Sequence, residues 1–449
     1  MIFEKIVSEG LAHNSYLVGS AGKAAVVDPR RDCDIYLKKS QTHNVKITHI
    51  FETHRNEDYV IGSVELSQMT GAEIYHGSHL DFTYGNPVKD GDTFTVGTLK
   101  LQILETPGHT DESISITLND TEVADIVYMV FTGDALFAGD VGRTDMYGKD
   151  ETVRLSENLY ESLQKLLSLG DSVIVLPGHG AGSVCGADLS EHEFTTIGYE
   201  KRTNPALQKD KKAFVEYKVK EVLYMPPYFR KMEVYNKDGP PILHRLPYVK
   251  PLTVKDVKNT RAQIVDVRNP PSFAGGHIPG SYSIWKEGLP LFAGWILNYK
   301  DPIIIVDENN LQLTEIVRYL IRIGYDNLLG YLAGGFSTWY KNAQPIDKVN
   351  TWSVHEFKEN LKEDIYILDV REYNHWKQGH IKGAHHIYVG ELPDHLDEIP
   401  QKPIVVYCDS GLKTSIATSI LQMHGYNTVT NVLGGMMAWK TAGYPVEKQ

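Results

Sequence analysis

The chain reads as an α/β protein: a layered αββα sandwich, followed by two further α/β domains of similar design. Three observations predict this. At 449 residues the chain exceeds what one hydrophobic core can organise. Its N-terminal half repeatedly runs an apolar strand into a polar turn, and its C-terminal half carries an internal repeat of about 100 residues. A proline-rich stretch with Pro226, Pro227, Pro240, Pro241, Pro247 and Pro251 parts the two halves.

The first domain is placed at residues 1–245. Ile47 to Phe51 lead into Thr53-His54, and Leu99 to Leu104 lead into Thr106-Pro107-Gly108-His109. Ile126 to Phe131 lead into Thr132-Gly133-Asp134, and Val173 to Leu176 into Pro177-Gly178-His179. Residues at strand C-termini converge on one sheet edge, where sites are built. Leu155, Leu159, Leu163 and Leu166 fall on one face of a helix, and strands on both sides of such helices suggest the sandwich.

The second and third domains, 250–345 and 350–449, are the two copies of the repeat. Ile264-Val265-Asp266-Val267-Arg268 recurs as Ile367-Leu368-Asp369-Val370-Arg371, and Gly276-His277-Ile278 as Gly379-His380-Ile381. Pro302 to Val306 recurs as Pro403 to Tyr407, and Gly334-Gly335 with Trp339 as Gly434-Gly435 with Trp439. Short β-branched runs alternate with helical stretches, Thr314 to Ile323 and Thr414 to His424, which implies parallel sheets. Gly324 and Gly425 stop those helices, and Gln344 to Thr351 link the copies.

Charge and cysteine content narrow the function classes. A net charge of −12 opposes nucleic acid and anionic membranes as partners, and no apolar run reaches the ~20 residues of a membrane span. No secretory signal is visible at Met1 to Lys5, and three cysteines, Cys33, Cys185 and Cys408, make no disulfide framework. A cytoplasmic setting is expected, with free thiols. A homo-oligomer is expected as well.

His54, His109 and Asp134 each end an apolar strand in a Gly-, Pro- or Thr-rich turn. Two imidazoles and one carboxylate leave open positions on a metal, the facial arrangement of non-haem Fe(II) and oxygen chemistry. Cys408 ends the strand Ile404 to Tyr407 and opens Cys408-Asp409-Ser410-Gly411-Leu412-Lys413 before a helix. Backbone N–H groups and a helix N-terminus there lower a thiol pKa and cradle an anion. In the first copy Asp307 stands in that place, and a carboxylate cannot do the work of a thiolate, so that copy is expected to be catalytically silent.

Together, Thr53-His54, Thr106 to Thr110, Thr132-Gly133-Asp134 and Pro177 to Gly180 resemble the metallo-β-lactamase fold. That family's first motif reads His-x-His-x-Asp-His and feeds two ions, whereas Asn56 and Tyr59 replace two of its histidines here. The chain is more similar to the persulfide dioxygenase branch fused to rhodaneses, on Phe131 to Leu136, Gly142-Arg143-Thr144-Asp145, Pro177 to Gly186, Arg202 to Leu207 and Pro227-Tyr228-Phe229. The resemblance implies one Fe(II) per chain on His54, His109 and Asp134, with zinc the alternative, and a low-molecular-weight thiol persulfide and O2 as substrates. The Cys408 loop, with Asp369-Val370-Arg371 and Gly379-His380-Ile381, resembles active rhodaneses, which carry sulfur as a cysteine persulfide. Sulfite and thiosulfate are then the expected products.

Four residues keep two readings. Asp58 and His179 either support the ligands or hold a second ion, with support favoured. Arg143 either binds a substrate anion or pins its own loop. Cys185 either faces the iron or fills a small buried space. A thioester hydrolase of glyoxalase II type, with the rhodanese as a passenger, is the alternative function, and a degenerate scaffold presenting the sulfurtransferase is a third.

Overall fold

The computed structural model describes all residues except 184–189, 191, 193, 362, 363 and 449. The chain divides into two compact units, Met1–Leu246 with Ile321–Gly324, and Pro247–Leu320 with Tyr325–Gln449.

The first unit holds two six-stranded sheets. One runs Ile2–Ser8, His13–Ser20, Lys23–Val27, Lys46–Phe51, Glu73–Gly77 and Asn86–Val88 in chain order, antiparallel over the first three strands and parallel beyond. The other runs from Thr195–Thr196 through Ile174–Pro177, Met129–Gly133, Ile114–Asp120 and Leu99–Glu105 to Thr93–Val96. The two-residue side-chain period of a strand explains its unbroken apolar runs. Val18, Ala25 and Val27 point between the sheets to meet Leu101, Ile116 and Phe131. Their neighbours Leu17, Ala24 and Val26 point outward onto Tyr36 and Leu66 of the covering helices Asp34–His43 and Ser63–Thr70. On the far side, Leu159, Leu163 and Leu166 of helix Thr152–Leu167 pack on Val130 and Val175. These layers are the αββα sandwich. One strand is shorter than its sequence suggests: Ile126 is exposed and pairing begins at Met129, because the partner strand turns at Asp120.

The second unit contains two five-stranded parallel sheets with identical strand order. The first is ordered Lys250–Leu252, Leu328–Leu332, Ile303–Val306, Gln263–Asp266, Tyr282–Ser283. The second is ordered Asn350–Trp352, Val429–Val432, Ile404–Tyr407, Tyr366–Asp369, Ala384–His386. The repeated motifs have structural reasons. Arg268 forms a forked pair with Asp266 and donates to the Gly276 carbonyl at 2.8 Å; Arg371 does the same with Asp369 and the Gly379 carbonyl at 2.9 Å. Trp339 and Trp439 donate their indole N–H to the carbonyls of Pro345 and Pro445. The helix after Cys408, Lys413–Met423, is buried from Thr414 to Leu421. Part of its cover comes from the first copy, whose Ser283 bonds Ser415 at 2.5 Å and donates its N–H to Ser419 at 3.1 Å.

Candidate metal centre and sulfur loop

The first site starts where strand Lys46–Phe51 ends. Thr53 donates its N–H and its hydroxyl to the two oxygens of buried Asp28, at 2.8 and 2.7 Å. Having spent its proton there, the hydroxyl accepts from His54 Nδ1 at 2.9 Å, which orients the ring with Nε2 facing inward. His109 Nδ1 donates to the Arg143 carbonyl at 3.0 Å, so its Nε2 also faces inward. Partners on the outer nitrogen orient metal-binding histidines in this way. Asp134 arrives at the end of strand Met129–Gly133, and its Oδ2 lies 3.8 Å from Nε2 of each histidine. A Cβ on Gly178 would come within 2.6 Å of Asp134 Oδ1, which is why the facing turn is Pro-Gly-His.

All three side chains are buried, and their ligand atoms lie within 4.8 Å of one another. Both Nε2 atoms lack any hydrogen-bond partner. Orphaned buried nitrogens converging with a carboxylate are costly unless an ion receives them, so the set fits a metal site.

The residues at the places of a second ion have contacts of their own. Asn56 turns its amide back to donate to the His54 carbonyl at 3.0 Å, and the Tyr59 ring lies tilted against His13 with centroids 3.9 Å apart. Asp58 and His179 bond to each other at 2.9 Å, and His179 Nδ1 meets the Asp134 oxygens at 2.8 and 3.0 Å. His179 thereby orients Asp134, and Asp58 orients His179. Arg143 is buried and spends its guanidinium on Asp145, at 2.7 and 2.8 Å, and on the Tyr224 carbonyl, so its side chain braces its own loop while its carbonyl braces His109. Cys185 lies outside the described residues. Cys33 is buried against the first sheet, where burial pushes its thiol well up.

One residue at this site escaped the sequence reading. Glu57 is fully buried, with Oε2 at 3.4 Å from His109 Nε2 and 3.9 Å from His54 Nε2. Burial alone would raise its pKa, yet the charges of His109, His54 and Arg55 hold it down to about 2. It sits in an irregular loop, where no strand or helix period says which way a side chain points. The available signal was a fourth ionisable group three places after a ligand histidine.

The second site is built on strand Ile404–Tyr407. Cys408 is buried, and its sulfur accepts the Gly411 N–H at 3.1 Å. Thr414 closes the loop by donating to the Gly411 carbonyl. Lys413, the loop's cation, lies 2.6 Å from both oxygens of Glu372 and 3.4 Å from Asp409. Asp409 also faces Arg371 at 3.8 Å and His375 at 3.5 Å. Ser410 and the half-exposed Leu412 complete the loop's outer wall. In the first copy the loop is closed instead of cradling. Asp307 accepts the Asn310 N–H at 2.8 Å, and the Asn310 amide also bonds the Leu332 carbonyl and the Gly334 N–H. An amide side chain thus fills the space that Gly411 leaves open in the second copy.

Comparisons with known proteins agree with this layout. The description "Metallo-beta-lactamase superfamily" matches residues 9–179, and "Rhodanese-like domain" matches 252–342 and 353–442. Hydroxyacylglutathione hydrolase GloC of Haemophilus influenzae is 30% identical over 41% of this chain and 87% of its own length. The crystal structure of a metallo-beta-lactamase from Staphylococcus aureus is 30% identical, with a TM-score of 0.68 over 74% of this chain and 99% of that one. The crystal structure of ETHE1 from Myxococcus xanthus is 31% identical over 53% of this chain and 98% of that one, with a TM-score of 0.46.

Proposed function

The chain belongs to the metallo-beta-lactamase superfamily and carries two rhodanese-like domains, and we propose that it oxidises a low-molecular-weight thiol persulfide with O2 to sulfite and converts sulfite to thiosulfate at Cys408. The observation that carries the first half is the donor set. His54, His109 and Asp134 offer one ion three ligands and leave it open positions, while an amide and a phenol, Asn56 and Tyr59, stand where a second ion would take imidazoles. An Fe(II) held there would supply the redox chemistry that O2 requires.

The protein's own part is to hold and orient. Thr53 and the Arg143 carbonyl orient His54 and His109, and His179 fixes Asp134. Overall, persulfide, O2 and water give thiol and sulfite, so the outer sulfur is oxidised and O2 reduced. At Cys408 the thiolate attacks the outer sulfur of a second persulfide, a thiol leaves, and Cys408 carries the sulfur. Sulfite then attacks that outer sulfur, breaks the S–S bond and leaves as thiosulfate, restoring the thiol. The Gly411 N–H, already on the cysteine sulfur, is placed to stabilise its anion.

The test is aerobic turnover of one persulfide, with oxyanions separated afterwards. The parent should accumulate thiosulfate, and Cys408→Ser should consume O2 at a similar rate and accumulate sulfite. Thiosulfate from Cys408→Ser at the parent's yield, corrected for spontaneous formation, rules out the coupled scheme.

A second reading, a thioester hydrolase, is favoured by the likeness to the Haemophilus protein named hydroxyacylglutathione hydrolase. It requires hydrolysis of a glutathione thioester and no O2 uptake, and the same preparation decides between the two.

A further inference from the structure

We infer, on the sulfur-transfer reading of Cys408 above, that Glu372 determines which sulfur donor the loop accepts. By holding the Lys413 ammonium it weakens the binding of dianions, so that a thiol persulfide is taken in preference to thiosulfate. The two copies of the repeat differ at this point. Asn269 and Glu372 occupy the same place, directly after the repeated Asp-Val-Arg. Asn269 caps its helix, accepting the Ser272 N–H at 2.9 Å. Glu372 stands at the corresponding N-cap and makes no side-chain cap bond. It reaches instead to Lys413, 41 positions on, with both oxygens 2.6 Å from Nζ. A cap bond ordinarily stabilises a helix start, and Glu372 forgoes it for the contact with Lys413. Two partners in this ionic group are also confined to the cysteine copy: Gln312 stands in the place of Lys413, and Ser272 in that of His375.

Charge then decides what the mouth of the loop attracts. Lys413 opens the helix that follows Cys408. Burial works against its charge, yet Glu372, Asp409 and Cys408 hold its pKa above the usual lysine value. Asp409 lies 3.4 Å from the same ammonium and 3.5 Å from His375. Glu372, His375 and Asp409 converge as metal-binding groups would, but the cation among them is Lys413. Lys413, His375 and Arg371 are thus matched, charge for charge, by Glu372, Asp409 and Asp369. A mouth so balanced offers a dianion little net attraction. Thiosulfate is a dianion, whereas a thiol persulfide carries at most a single charge at its reacting sulfurs.

In donation from thiosulfate, the Cys408 thiolate attacks the outer sulfur, the S–S bond breaks and sulfite leaves. This is sulfite acceptance run backwards, so the balanced mouth slows both passages by one factor. What it favours is departure: product thiosulfate leaves the loop and does not reload Cys408. Loading from a persulfide needs no dianion site and is left as it is.

The experiment is steady-state sulfur transfer by the full-length protein with cyanide as acceptor. Cyanide attacks the outer sulfur on Cys408 and leaves as thiocyanate, which is measured and corrected for the uncatalysed reaction. The donors are thiosulfate and the persulfide of 2-mercaptoethanol, whose carbon arm is uncharged. Glu372→Gln should raise kcat/KM for thiosulfate about tenfold and change that for the persulfide less than about twofold. The gain should shrink at high salt. Glu372→Asn, which restores the cap of the first copy, should show the same gain, and adding Lys413→Ala to Glu372→Gln should remove it. A merely structural role for Glu372 would lower transfer from both donors alike. An unchanged or lowered kcat/KM for thiosulfate in folded Glu372→Gln, or in Glu372→Asn should the first variant not fold, overturns the inference, as does a gain that survives Lys413→Ala; sulfur transfer at Cys408 then still stands. A folded parent that forms no thiocyanate from either donor overturns the sulfur-transfer reading, and this inference with it.

Discussion

Removing the Asn236 side chain would leave the Ile61 N–H and the carbonyls of Asn56 and Tyr59 without their partner inside the protein. Each unsatisfied buried group costs about 1–3 kcal/mol, so Asn236→Ala should destabilise the first unit by several kcal/mol in a denaturant titration. Metal affinity should fall with it, because the loop bearing His54 loses its clamp. At the sulfur loop, hydrogen bonds to Asp409 and Glu372 raise the pKa of His375 from 6.5 to about 9. A raised histidine pKa means stability that is fully present below 6.5 and lost as pH rises through about 9. The ring is half-exposed, so that contribution is small, but its proton is directly observable. An NMR titration should place the His375 midpoint near 9, and Asp409→Asn should move it back towards 6.5.

The helices that begin at Gly335 and Gly435 pack directly on the two loops. A Cβ on Gly435 would lie 2.2 Å from the Cys408 carbonyl oxygen, and one on Gly335 2.4 Å from that of Glu308. Both glycines have positive φ, 47° and 66°, so an alanine is strained as well as crowded. Gly435→Ala should displace the sulfur loop and lower sulfur transfer at least tenfold, an expected cost of about 2–4 kcal/mol with O2 uptake kept. Gly335→Ala should lower the melting temperature with a much smaller effect on sulfur transfer. Asp307→Ala removes the acceptor of the Asn310 N–H and should likewise leave sulfur transfer near the parent's rate. Ser283 of the first copy hydrogen-bonds Ser415 and Ser419 on the buried helix that follows Cys408.

At the scale of the whole chain, the metal set lies in one compact unit and Cys408 in the other. His54→Ala should abolish metal binding and O2 uptake while keeping sulfur transfer within about twofold, since the substitution touches neither fold's core. Removing metal with a chelator should act like that substitution and be reversed by Fe(II), measured by O2 electrode. Loss of sulfur transfer in folded His54→Ala would show that the two activities are coupled. No described helix is long and apolar enough to cross a membrane.

Local chemistry made the architecture legible. Apolar runs bounded by Thr-Gly-Asp or Pro-Gly-His turns mark strand ends, and the repeated Asp-Val-Arg and Gly-Gly motifs mark buried ion pairs and close helix–loop contacts, all local in sequence. His54, His109 and Asp134 stood out because each follows a strand, whose direction tells where its end goes. Only the tertiary structure decided what depends on distant partners. Arg143 turned out to brace Asp145 and Tyr224, and Asp58 and His179 to form a chain ending on Asp134. Glu57 faces the histidines because Asn236, 180 positions away from Asn56, clamps a left-handed turn. A loop has no period that aims its side chains, so their directions are set by such long-range hydrogen bonds, which no stretch of sequence displays.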